Sequence, residues 1–114
     1  MEDEMVLRTW RGRTRLEDRD RYFSYLQETG VKECKATPGN QGVIVAWRER
    51  EGQAEFFFLS LWESMNAVER FAGTSPKRAV FYPEDEEFLV DKDLHVDHYE
   101  ILDVPAVSGE GNGR

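Results

Sequence analysis

The segment Gln53–Trp62 carries large apolar side chains at both parities: Phe56, Phe58 and Trp62 at even positions, Phe57, Leu59 and Leu61 at odd ones. Successive residues of a strand point to opposite sheet faces, so this segment reads as a strand that is apolar on both faces. The stretch before it, Gly42–Glu49, repeats the pattern with Val43, Val45 and Trp47 against Ile44 and Ala46. Glu51-Gly52 supplies a short reversal between the two, which makes them a hairpin.

Around that hairpin the chain alternates in type. Met5–Arg13 reads as a first strand, with Val6, Leu7, Thr9 and Trp10 and with Arg8 and Arg11 spaced between them. Leu16, Tyr22, Phe23 and Leu26 then recur at helical spacing, predicting a helix over Leu16–Thr29 that Gly30 ends. Lys35–Gly42 has the turn residues of a loop. Ser64 is placed to cap a helix over Met65–Ala72, Pro83 opens a helical turn through Glu84–Glu87, and Leu94–Val104 reads as the last strand. The order is β-α-β-β-α-β, an α+β domain whose helices pack on one face of an antiparallel sheet. At 114 residues it is one domain, assigned to 1–104, followed by a flexible Gly-rich tail at 105–114.

With both helices on one face, the second apolar face has no cover from its own chain. A patch of that kind calls for another sheet, most simply that of an identical subunit across a two-fold axis. The expectation is a homodimer in which two sheets face each other as a shared α/β barrel.

Charge and motifs narrow the function. A net charge of −8, with basic residues interleaved among acids, argues against nucleic-acid and anionic-membrane partners. The start of the chain lacks an apolar leader and no run spans a bilayer, so a cytoplasmic location is expected. Cys34, the single cysteine, reads as an inert thiol in a connector. His95 and His98 sit three apart on a strand and point to opposite faces, so no metal is expected: His95 faces solvent and His98 is hydrogen-bonded. Phosphate-loop, dinucleotide, nucleophile-elbow and zinc-protease motifs are absent from the sequence.

Aromatic residues remain as the chemical signal. Trp10, Tyr22, Trp47 and Phe71 are each core residues first, but together they can line a pocket for a small aromatic molecule between sheet and helices. In such a pocket His98 is the acid–base candidate, and Arg78 or Tyr82 can stabilise an oxyanion.

Leu59-Ser60-Leu61-Trp62-Glu63-Ser64, followed by Ala67, Val68, Phe71-Ala72-Gly73 and Ala79-Val80, resembles the antibiotic biosynthesis monooxygenase family of dimeric α/β barrels. His98-Tyr99-Glu100-Ile101 looks like the last strand of many bacterial members, and the likeness runs from Trp10 to Leu102. It implies a ferredoxin-like dimer and cofactor-free oxygenation of a small aromatic or polycyclic substrate, whose own ionised form reduces oxygen. Trp62 matches the tryptophan used by family enzymes. Haem-degrading members pair that tryptophan with a first-strand asparagine and a haem-ligating histidine on the second helical segment. Met5–Arg13 has no Asn and no His lies between Trp62 and Leu94, which ranks haem breakdown lower. Two other classes stay open: a non-enzymatic dimer that binds a small molecule, as a sensor or stress-related partner, and isomerase or lyase chemistry with His98 as base.

Overall fold

A computed structural model describes residues 4–104; the tail expected at 105–114 lies outside them. Strand β1 (Val6–Arg15) leads through a 3-10 turn at Leu16–Asp18 into helices α1 (Arg19–Glu28) and α2 (Gly30–Ala36). The hairpin of β2 (Asn40–Arg50) and β3 (Gln53–Trp62) follows, then α3 (Met65–Ala72), α4 (Asp85–Phe88), β4 (Leu89–Lys92) and β5 (Asp97–Glu100). All strand pairs are antiparallel, in the order β2-β3-β1, with β4 and β5 sharing the far edge of β1. The α+β class and ferredoxin-like order expected from the sequence are those of the molecule.

The register assigns every side chain to a face. Val6 pairs with Trp62, Arg8 with Ser60, Trp10 with Phe58 and Gly12 with Phe56. These residues face the helices, because Val6 and Trp62 pack with Cys34, Ala67 and Val68, while Phe56 packs with Tyr22 and Leu26. Leu7, Leu59, Leu61 and Ile44 share the outer face, where no helix packs and Ile44 is 53% exposed. That face is less apolar than the sequence pattern implies. At its hairpin end Arg48 bonds Glu55 at 2.6 Å, Arg13 bonds Asp91 at 3.0 Å, and the Arg11 guanidinium lies 4.3 Å from the Phe57 ring centroid. The uncovered apolar surface is therefore the half formed by Leu7, Ile44, Leu59, Leu61 and Tyr99.

Three expectations are corrected. Gly30 does not end the helical region but opens α2, after a break at Thr29 (φ −117°, ψ −91°). A Cβ on Gly30 would lie 3.3 Å from the Phe58 ring, so this glycine lets the helix press on the sheet. Cys34 accordingly sits in α2, buried, and the expected Lys35–Gly42 loop shrinks to the few residues before Asn40. Finally, Leu94–Val104 is no single strand: β4 lies before it and β5 covers only Asp97–Glu100. Leu94–Val96 leaves β1 because its backbone is satisfied elsewhere, with Ala79 N–H donating to the Leu94 carbonyl at 2.9 Å and Val96 N–H to that of Lys77 at 2.9 Å. The second long helix keeps its expected bounds, and Ser64 Oγ accepts from the Ala67 amide at 3.2 Å as the cap. No helix is long and apolar enough to cross a membrane, among the described residues.

Candidate functional site

The helices meet the sheet over the middle of β1 and β3 and leave a cavity of about 50 Å³ there. Its walls are Trp10 and Phe58 from the sheet, Tyr22 and Leu26 from α1, Phe71 from α3, and Phe81 and Tyr82 from the segment before α4. The indole of Trp10 lies along its own strand over Gly12, where any Cβ would fall 2.4 Å from the ring, and its Nε1 donates to the Asp93 carbonyl at 2.8 Å. Phe81 meets that indole edge-on at 6.0 Å. Trp10 and Phe71 are half-buried and Phe81 is exposed, so the cavity opens on their side.

One wall carries a buried cation. Arg8 is 5% exposed, and its guanidinium donates from Nη1 to the Pro76 carbonyl at 2.5 Å and from Nη2 to the Arg78 carbonyl at 3.1 Å. Nη1 also lies 3.1 Å from His98 Nε2. Arginine only donates, so Nε2 must accept and His98 is the neutral tautomer with its proton on Nδ1. No carboxylate pairs with Arg8 among the described residues. Cys34 and Ser60 adjoin it on the cavity wall. Burial pushes the Cys34 thiol up to about 12, against the pull of Arg8 and of a hydrogen bond with Ser60, so it is protonated and inert at neutral pH.

The other polar wall is Asp85 with two tyrosines. Tyr22 donates its hydroxyl proton to Asp85 Oδ1 at 2.9 Å, and the Tyr82 amide donates to Oδ2 at 2.6 Å. Burial raises Asp85 above its ordinary range despite these bonds, and it pushes Tyr82 up to about 12. Asp85→Ala leaves the hydroxyl and the amide without partners and should cost about 2–4 kcal/mol in a denaturant titration. Asp85→Asn, which can still bond both through a reversed Tyr22 hydroxyl, should cost clearly less.

The residues proposed from sequence divide. Trp10, Tyr22, Phe71 and Tyr82 converge on the cavity. Trp62 stands behind the wall: it is fully buried, and its Nε1 donates to Ser60 Oγ at 2.8 Å. His98 reaches the cavity only through Arg8. Arg78 offers its main-chain carbonyl to Arg8 and bridges His95 on the exposed edge. Trp47 lies outside the cavity, 41% exposed under the guanidinium of Arg19 at 4.5 Å. Arg8 is the residue the sequence reading passed over as a strand spacer. The signal was present, since Arg8 shares the parity of Val6 and Trp10 and so had to point toward the helices.

His98 gives the site a pH dependence. Burial and then the neighbouring Arg8 lower its pKa, with Lys77 adding to the effect and Asp97 opposing it. Below about pH 6.5 the unfolded chain takes up a proton that folded His98 refuses, so stability falls with pH until the folded imidazole is also protonated. Denaturation midpoints between about pH 5 and 8 should show this loss, and His98→Gln, which keeps an acceptor for Arg8, should flatten it.

No family model matches this chain, and no curated protein matches its sequence. Solved structures do match its fold. A candidate antibiotic biosynthesis monooxygenase from Bacillus cereus superposes with a TM-score of 0.65 at 14% identity, over 91% of this chain and 99% of that one. Another from Chloroflexus aurantiacus J-10-fl gives 0.57 at 16% identity, over 91% and 97%. The de novo designed protein Foldit4 gives 0.54 at 17% identity, over 86% and 99%. The likeness is one of fold, and a fold is shared by proteins of many functions.

Proposed function

We propose that this chain is a cofactor-independent oxygenase of a small aromatic molecule, working as a homodimer. The observation that carries the reading is the aromatic-walled cavity on the helix side of the sheet, open beside Trp10, Phe71 and Phe81 and holding a buried cation. Its fold likeness to candidate antibiotic biosynthesis monooxygenases supports the same reaction class. In that chemistry the ionised substrate supplies the electrons that reduce oxygen, and the protein supplies a dry pocket and fixed donors. Tyr82 lines the pocket, and Trp62 acts as a positioning residue by holding Ser60 on the wall. No lining residue is a histidine, which keeps haem breakdown the weaker reading.

The enclosed space sets the size of the substrate. A cavity of about 150 Å³ accommodates a benzene ring, and the enclosed volume here is about 50 Å³, so the enclosed part takes the oxygen-bearing edge of a ring and the rest lies in the mouth. A single ring fits this better than a fused polycycle. Oxygen uptake with a panel of quinols, phenols and anthrones, followed together with tryptophan fluorescence, tests the proposal. Uptake with a one-ring substrate is expected, and no uptake with any member of the panel sinks the oxygenase.

Binding without turnover is the second reading. It is favoured by the polar groups of the cavity, since both Asp85 oxygens are engaged and the Cys34 thiol stays protonated. Fluorescence quenching with no oxygen consumed is its signature.

A further inference from the structure

A cation buried in a protein is ordinarily paired with a carboxylate, because removing it from water is costly unless a charge or strong acceptors replace the solvent. Arg8 is nine-tenths buried and has three of its five N–H groups engaged, by two main-chain carbonyls and the neutral His98. None of these partners carries a negative charge. The Phe71 ring centroid 5.8 Å away adds only a π face. Burial makes the charge harder to hold, yet no acid among the described residues pairs with it: Asp85 on the opposite wall is committed to Tyr22 and Tyr82, and Glu55 lies on the outer face with Arg48. The guanidinium is pinned in place before any ligand arrives, with donor capacity to spare, on the wall of a largely aromatic cavity whose one acid, Asp85, is already engaged. That is the arrangement expected of a preorganised anion receptor.

We infer that Arg8 is the specificity-determining residue of this cavity and that its ligand is an aromatic acid, whose ionised oxygen, phenolate or carboxylate, completes the missing charge pair. The inference rests on reading the cavity as the ligand site and adds to it the charge of the ligand. Arg8 rather than Arg78 then fills the oxyanion-stabilising role, and His98 is a positioning residue that keeps the guanidinium turned along the wall.

Isothermal titration of the unmodified chain with benzoate against benzamide, and with 4-nitrophenolate against 4-nitroanisole, separates charge from shape. A charge-assisted bond contributes about 1.5–3 kcal/mol, so the anion of each pair should bind roughly ten- to a hundredfold more tightly than its neutral partner. Preference for benzoate alone assigns a carboxylate ligand, and preference for 4-nitrophenolate alone assigns a phenolate. Arg8→Met should remove the preference, and Arg8→Lys should restore part of it, since the charge returns without the planar fork. Equal affinity for both members of each pair overturns the role of Arg8 and leaves the pocket standing. No heat with any of the four overturns the role of Arg8 and the pocket together. Anion-selective binding without oxygen uptake keeps Arg8 as the receptor while removing the oxygenase. Because these comparisons use the unmodified chain, they decide the question even if Arg8→Met fails to fold.

Discussion

Trp62→Ala should lower the stability of the folded chain by about 3–5 kcal/mol, seen as a large fall in the denaturation midpoint. Trp62 has no exposed surface, and it sits at the end of β3 against Val6, Val68 and Phe71, with the Phe71 ring 5.8 Å away. Removing the indole opens a void among side chains that β1, β3 and α3 hold rigidly, so little of it can close. It also deprives Ser60 Oγ of the donor that fixes it on the cavity wall. Domains of this size are stable by roughly 5–15 kcal/mol, so the variant would stand near the edge of folding. Trp62→Phe keeps most of the volume and should cost much less while still freeing Ser60. A measurable change in ligand affinity in that milder variant identifies the Trp62–Ser60 contact as a positioning device; unchanged affinity limits Trp62 to the core.

What the sequence made legible is what short-range rules decide. The bounds of β3 follow from the aromatic and aliphatic run of Phe56–Trp62 between Gly52 and Ser64, and those of α3 follow from a serine cap and a terminal glycine. The break between α1 and α2 obeys no local rule. Gly30 looks like a helix stop by composition, and only the Phe58 ring beneath it shows why a glycine is needed while the chain stays helical. The last strand fails for a similar reason, because Leu94–Val96 finds its hydrogen-bond partners in Lys77–Ala79, a pairing no periodicity announces.

The site was half legible for a different reason. Aromatic residues expected to gather did so where their parity or helical phase pointed inward, as with Trp10, Tyr22 and Phe71. Trp47 shares the inward parity but lies near the hairpin end, past the reach of α1's core residues, and stacks under Arg19 instead. Arg8 was hidden by the habit of taking charge as a mark of solvent. The strand pattern said otherwise, and its burial beside two carbonyls and a neutral imidazole is the least ordinary feature of the domain.

Ile44→Asp should turn a dimer into a monomer without unfolding the chain. Ile44 is 53% exposed on the outer face, opposite Leu59, so a carboxylate there stays solvated in the single subunit and costs it little. In a face-to-face dimer the apolar half around Leu7, Leu59, Leu61 and Tyr99 meets its own copy, and both new carboxylates are drawn into that contact. Each loses its water without gaining a partner, a penalty of several kcal/mol per ion. The arginine-rich hairpin end does not relieve it, since Arg48 and Arg50 are already drawn to Glu55 at 2.6 and 3.6 Å. Light scattering after size exclusion should therefore give twice the chain mass for the parent and the chain mass for the variant, with unchanged circular dichroism. A parent that runs as a monomer removes the homodimer, and a variant that stays dimeric moves the contact to another surface. Because the cavity of Arg8 lies on the opposite side of the sheet, the monomeric variant should keep its affinity for the preferred anion, which ties the ligand site to the single subunit rather than to the assembly.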